Sequence, residues 1–127
     1  MITTGDKIAA HASSKKGSPY QWGAKGPDKF DCSGLAIWCH SQENISISGN
    51  AESLSKSGTS VTDKKPGDLL FYACRDGSSA VSHVGIYIGN NKMIHAPGDG
   101  QNVKEANINA KYWTDRFKGA KRYWKKD

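Results

Sequence analysis

Residues 83–96 read HVGIYIGNNKMIHA, and this stretch decides the fold. His83 to Gly89 alternates well enough for an antiparallel strand. Asn90-Asn91 suits a tight turn, because asparagine tolerates the left-handed backbone conformation that such turns need. Lys92 to Ala96 then forms the returning strand. The stretch predicts a β-hairpin with a histidine near each end.

A second strand is predicted upstream of the hairpin. Asp68 to Ala73 reads DLLFYA, follows Pro66-Gly67, and is followed by a turn through Asp76-Gly77-Ser78. A short apolar run bounded by turn residues is typical of a fully buried strand. Asn102 to Ala106 and Lys121 to Trp124 are weaker strand candidates.

Helices are predicted before these strands. The first runs from Thr4 to Lys16, with Thr4 or Asp6 as its cap, and the second starts at Cys32 or Ser33 and ends near His40. A weaker helical stretch covers Ala51 to Lys56. Helices followed by antiparallel strands indicate an α+β fold. A length of 127 residues fits one domain, which we expect to span residues 1–127.

One of the three cysteines, Cys32, has the surroundings of a nucleophile. It lies in Asp31-Cys32-Ser33-Gly34, where an irregular glycine-rich loop meets the predicted helix. A thiol at a helix N-terminus beside an imidazolium has a lowered pKa, and free N–H groups there can stabilise an oxyanion. Cys39 and Cys74 lie in apolar segments and are expected to be ordinary buried residues.

A cysteine nucleophile needs a general base, often with a third group that orients the base. His83 follows a run of small residues and is expected to face a cleft. The antiparallel hairpin brings His95 to a neighbouring level of the sheet. A helix-start cysteine with two histidines at matched hairpin positions favours a Cys-His-His set over isolated structural histidines.

Composition excludes several classes of site. The odd cysteine count argues against a complete disulfide framework, and no cysteine pair has zinc-site spacing, so we expect neither metal nor cofactor. The first residues lack signal-peptide features, and no apolar run is long enough to span a membrane. The formal charge of +6 favours polyanionic partners in general but selects none of them.

Five motifs in order resemble the NlpC/P60 family of cysteine peptidases. They are Pro19-Tyr20-Gln21-Trp22-Gly23, Asp31-Cys32-Ser33-Gly34-Leu35, Pro66-Gly67-Asp68-Leu69-Leu70-Phe71, Ser82-His83-Val84-Gly85-Ile86-Tyr87-Ile88-Gly89 and Met93-Ile94-His95-Ala96-Pro97. The resemblance covers nearly the whole chain. One departure is that residues 47–51 contain no arginine where many relatives carry a Pro-Arg pair.

The resemblance implies a papain-like fold, with N-terminal helices packed on a mainly antiparallel sheet, and a peptidoglycan substrate. Members of the family commonly cleave stem peptides after γ-linked D-glutamate and before meso-diaminopimelate or L-lysine. By this likeness Cys32 is the nucleophile, His83 the general base and acid, and His95 the orienting group.

The resemblance also implies a set of substrate-binding residues. Tyr20 is expected to line the site and to help the oxyanion hole. Asp31 and Ser33 match positions that help hold the free amino end of the stem, and Ser82 is a plausible neighbour in the same pocket.

Two other hypotheses use the same residues differently. An amide or acyl transferase would keep Cys32 as nucleophile, and a basic protein that binds polyanions would use only the positive charge. We expect a monomer that acts on stem peptides, with no nucleic-acid partner and no membrane span. Such a substrate implies secretion or delivery to the bacterial cell wall, by a route that the sequence does not contain.

Overall fold

The computed structural model describes residues 2–73 and 79–125. Its helices are α1 (Thr4–Ser14), α2 (Cys32–Ser41), α3 (Ala51–Leu54) and α4 (Lys111–Thr114). Its strands are β1 (Thr59–Val61), β2 (Leu69–Ala73), β3 (Val81–Gly89), β4 (Lys92–His95), β5 (Lys104–Asn107) and β6 (Phe117–Arg122). The six strands form one sheet in the order β1-β6-β2-β3-β4-β5, with every pairing antiparallel. The predicted α+β class, with helices preceding a mainly antiparallel sheet, is confirmed.

The central strand β2 is buried along its whole length. Leu69 and Phe71 belong to the core cluster that α1 and α2 cover, whereas Leu70 and Tyr72 belong to a second cluster on the opposite face. Successive side chains of a strand point to opposite faces, so covering both faces requires an unbroken apolar run. The DLLFYA segment therefore forms a buried strand, as predicted.

The hairpin of β3 and β4 is confirmed, with Asn90 and Asn91 both at positive φ, 53° and 63°. Ile86 pairs with Ile94, and the same register places His95 opposite Gly85. His83 lies two residues before Gly85, so the two histidines form a diagonal pair on one face of the sheet.

A buried ion pair joins the start of β2 to the end of β6. Asp68 is fully buried, and its carboxylate accepts hydrogen bonds from Arg122 Nε and Nη2, both at 2.8 Å, and from the Lys65 amide at 2.7 Å. The bidentate geometry fixes the start of β2 against β6, the strand with which β2 pairs.

Several predicted boundaries are wrong. The cap of α1 is Thr3, whose side chain accepts from the Asp6 amide while the Asp6 carboxylate accepts from the Thr3 amide. That helix ends at Ser14, because the Lys15 amide already turns back to the Ala12 carbonyl. The last strand runs over Phe117–Arg122 instead of beginning at Lys121.

Other differences concern whole elements. Strand β3 begins at Val81, two residues before His83, and β5 covers Lys104–Asn107. Neither β1 nor α4 was predicted. The predicted turn at Asp76-Gly77-Ser78, and Cys74 before it, lie outside the described residues.

Candidate active site

Cys32 is the first residue of α2 and is partly exposed. The preceding Asp31 caps the helix: its Oδ1 accepts from the Gly34 amide at 2.5 Å, and its Oδ2 accepts from the Gly23 amide at 2.9 Å. The cap stops the helix from extending backward and ties the glycine loop to it. The thiol therefore stands at the junction of loop and helix, as the sequence predicts.

The thiol also contacts the strand that carries His83. Backbone hydrogen bonds from Val84, Ser33 and Cys32 itself reach the sulfur. Since Val84 follows His83 directly on β3, this contact brings the helix start against the histidine strand. Sequence reasoning did not identify the Val84 amide, because a backbone group carries no residue-type signal.

His83 and His95 are in direct contact, with His83 Nε2 2.8 Å from His95 Nδ1. Their rings are nearly perpendicular, at 82°, with centroids 5.0 Å apart. His95 is buried, whereas His83 is partly exposed to the cleft. His83 Nε2 is the ring nitrogen that faces His95, and Nδ1 is the other ring nitrogen of this side chain.

Trp113 of α4 lies against both histidine rings. It stacks on His83 with an interplanar angle of 23° and a centroid distance of 5.6 Å, and it meets His95 edge to face at 5.1 Å. Tyr72 meets Trp113 edge to face, with ring centroids 4.9 Å apart. Sequence analysis did not include Trp113 among the site residues; its signal, a tryptophan in a weakly patterned C-terminal segment, was too unspecific.

Six of the seven predicted site residues line one cleft of about 580 Å³. They are Tyr20, Asp31, Cys32, Ser33, Ser82 and His83. His95 lies behind His83 and does not line this cleft. Trp22, which is 82% exposed, stands at its rim and is not part of the core.

Burial sets the protonation of the site. It raises the pKa of Cys32 above the ordinary value, with Asp31 adding to the rise, and the three backbone hydrogen bonds do not offset it. The expected lowering of the thiol pKa is therefore wrong in the resting site, because desolvation outweighs the helix start. Burial also raises the pKa of Tyr20, so its phenol keeps its proton and can donate a hydrogen bond.

His95 is affected in the opposite direction. Burial first, then the charges of His83 and Lys104, lower its pKa to about 3. His95 is therefore neutral at physiological pH and can accept the His83 Nε2–H at Nδ1. Its own proton then lies on Nε2, which is buried without a hydrogen-bond partner among the described residues.

The described residues contain neither a metal-binding cluster nor a membrane-spanning helix. Within residues 2–73 and 79–125, no group of three or more His, Cys, Asp or Glu side chains is placed to hold a metal ion. No helix in these ranges has the length and apolar content to cross a membrane.

The chain is similar in sequence to known proteins. A model of the NlpC/P60 family matches residues 17–122. The probable endopeptidase p60 of Listeria grayi is 39% identical over 109 residues, which cover 83% of this chain and 20% of that protein. The probable peptidoglycan endopeptidase LytE of Bacillus subtilis is 39% identical over 119 residues, covering 92% of this chain and 34% of that protein.

A solved structure shows the same fold. NlpC2 from Trichomonas vaginalis superposes with a TM-score of 0.90 at 32% identity, covering 99% of this chain and 48% of that chain. The chain thus spans about a fifth to a third of the length of the two curated relatives.

Proposed function

Because the chain belongs to the NlpC/P60 family, we propose that it is a peptidoglycan endopeptidase with Cys32, His83 and His95 as its catalytic residues. The observation that carries the proposal is the contact of His83 with His95 behind a cleft that the Cys32 thiol lines. The names of the relatives, endopeptidase and peptidoglycan endopeptidase, support the reaction class.

The first step begins from a thiol, since burial keeps Cys32 protonated. As the sulfur attacks the scissile carbonyl carbon, His83 takes the thiol proton at Nδ1 and becomes an imidazolium. The tetrahedral intermediate collapses, the C–N bond breaks, and the imidazolium gives its proton to the leaving amine. Water then attacks the thioester with His83 again as base, and the Cys32 thiol is restored.

His95 acts on this cycle through His83. As a neutral acceptor at Nδ1 it holds the His83 ring in one orientation and stabilises the imidazolium that forms. A protonated His95 would repel that cation, so the low pKa of His95 suits the role.

The remaining cleft residues are proposed to bind the acyl side of the substrate. The Tyr20 phenol and the first N–H groups of α2 face the developing oxyanion. Asp31 supplies the negative charge for the free amino end of the stem, with Ser33, whose hydroxyl donates to Asp31 Oδ1 at 3.2 Å, beside it. Ser82 precedes the proposed base in the chain and lines the same cleft.

We propose the bond between γ-D-glutamate and meso-diaminopimelate or L-lysine as the one cleaved, by a single catalytic domain acting as a monomer at the bacterial cell wall. Mass spectrometry of muropeptide digests tests the reaction. New L-Ala-γ-D-Glu dipeptide is expected with the unmodified protein and with Cys39→Ala, a control at a buried core cysteine, and none with Cys32→Ala.

Two other outcomes of these digests would support the alternative functions. Transfer of the acyl group to an added amine, in place of hydrolysis, would make the chain a transferase. Intact muropeptides with every protein, together with salt-sensitive binding to anionic polymer that survives alkylation of Cys32, would replace the peptidase by a polyanion-binding function.

A further inference from the structure

A second cavity, of about 470 Å³, adjoins the catalytic cleft at His83. The two cavities share Ser82, His83 and Pro97 as lining residues, whereas Cys32 lines only the cleft. His83 therefore lies where the two cavities meet.

The proposed reaction indicates which part of the substrate would enter this cavity. The acyl part of the substrate stays on the Cys32 sulfur, with its free amino end toward Asp31. The leaving amine receives its proton from His83, so the residue that follows the scissile bond lies next to His83. The second cavity opens there, and its wall also includes His95, Trp113 and Tyr112.

The charged groups of this cavity are mainly cationic. Lys104 Nζ donates to Gln101 Oε1 at 3.1 Å, and neither this group nor Arg116 forms an ion pair within the described part of the chain. Among the described lining residues Glu105 carries the one carboxylate, which already accepts from Lys16 at 2.9 Å and lies 3.6 Å from a second lysine.

Arg116 is oriented by Tyr112, and no carboxylate of the described residues pairs with it. Its Nη1 donates to the Tyr112 carbonyl at 3.0 Å, and its guanidinium lies 4.0 Å above the Tyr112 ring. Its Nε is buried and has no hydrogen-bond partner among the described residues. A pre-oriented guanidinium and a lysine that line the same cavity are suited to a carboxylate.

We propose that this cavity is the subsite for the residue after the scissile bond, and that Lys104 and Arg116 bind a free carboxylate on its side chain. The inference rests on the proposed endopeptidase function and adds its selectivity. Meso-diaminopimelate carries such a carboxylate beside its distal amine, whereas L-lysine carries the amine alone. The chain then prefers diaminopimelate stems and loses that preference when the distal carboxylate is amidated.

The test measures kcat/KM on three stem tripeptides that end in diaminopimelate, in diaminopimelate with an amidated side-chain carboxylate, and in L-lysine. A charge-assisted pair predicts that the free acid is cleaved about tenfold to a hundredfold faster than the other two. In the double variant Lys104→Gln/Arg116→Gln this ratio falls toward one. Arg116→Lys keeps the positive charge but loses the planar pair of guanidinium donors, so this variant retains part of the preference for the free acid.

Lys7→Gln/Lys56→Gln is the matched control, because both lysines are exposed and line neither cavity, and their loss lowers the net charge by two, as the double variant does. Equal cleavage of all three stems by the unmodified protein, or an equal loss on every stem in the double variant, overturns the subsite while leaving the endopeptidase intact. No cleavage of any stem overturns both. Circular dichroism of each variant separates a folding defect from a change in selectivity.

Discussion

Acidification should destabilise this protein through two buried histidines, His40 and His95. His40 is fully buried, its Nδ1 lies 2.8 Å from the Ala36 carbonyl, and burial lowers its pKa from 6.5 to about 4. Burial lowers the pKa of His95 from 6.5 to about 3. Between these values and 6.5 the unfolded state binds protons that the folded state excludes, so stability falls as pH falls.

The magnitude follows from the interval between the test pH and the unfolded-state pKa. Both folded-state pKa values lie below 5, whereas the unfolded-state pKa is about 6.5. At pH 5, which is about 1.5 units below the unfolded-state value, each histidine therefore lowers the free energy of unfolding by about 2 kcal/mol. The two together remove about 4 kcal/mol from the free energy of unfolding between pH 7 and pH 5. That is a large part of the stability of an ordinary domain.

Urea unfolding followed by tryptophan fluorescence measures this loss at both pH values. The matched variant is His40→Phe, which keeps a ring against Tyr123, at 5.6 Å, but cannot take up a proton. Its pH-dependent loss should be smaller than that of the unmodified protein by about 2 kcal/mol, since carboxyl groups titrate alike in both proteins. Equal losses in the two proteins would refute the assignment of His40 as a neutral buried group.

Two further predictions concern the neighbourhood of the thiol and the histidine pair. Gly34→Ala should abolish muropeptide cleavage and lower the free energy of unfolding by at least about 2 kcal/mol in urea, because its methyl would overlap the Ala24 carbonyl; full stability would contradict the close approach. Trp113→Leu should lower kcat about tenfold, because the variant loses the ring contacts with both histidines, each worth about 0.5–1.5 kcal/mol. Trp113→Phe keeps an aromatic ring at this position and should retain most of the rate. Equal rates for Leu and Phe at this position would show that ring contact does not matter.

The parts of the fold that sequence predicts well are those with local causes. The turn at Asn90-Asn91, the unbroken apolar run of β2 and the start of α2 each follow from residues that adjoin in the chain. The three-residue strand β1 is different, because it owes its existence to pairing with β6, some sixty residues later, through contacts such as Thr59 with Arg122. Its own sequence, TSV, carries too little pattern to predict a strand.

The same distinction applies to the candidate site. Residue types and motif order identify Cys32, His83 and His95, and the hairpin explains why the histidines meet. The protonation of the thiol depends instead on how much of the fold covers it, and burial reverses the direction expected from the helix start. The placement of Trp113 depends on where α4 packs, which no local pattern determines.

The hairpin register ties the proposed base and nucleophile together. His83 faces His95 across the β3–β4 pair, while the adjacent Val84 contacts the Cys32 sulfur through its backbone. A shift of one residue in this register would turn the His83 side chain to the opposite face of the sheet and withdraw the Val84 amide at the same time. The left-handed Asn90-Asn91 turn, which sets the register, is therefore part of the geometry that the proposed chemistry needs, although it lies at the far end of β3 from His83.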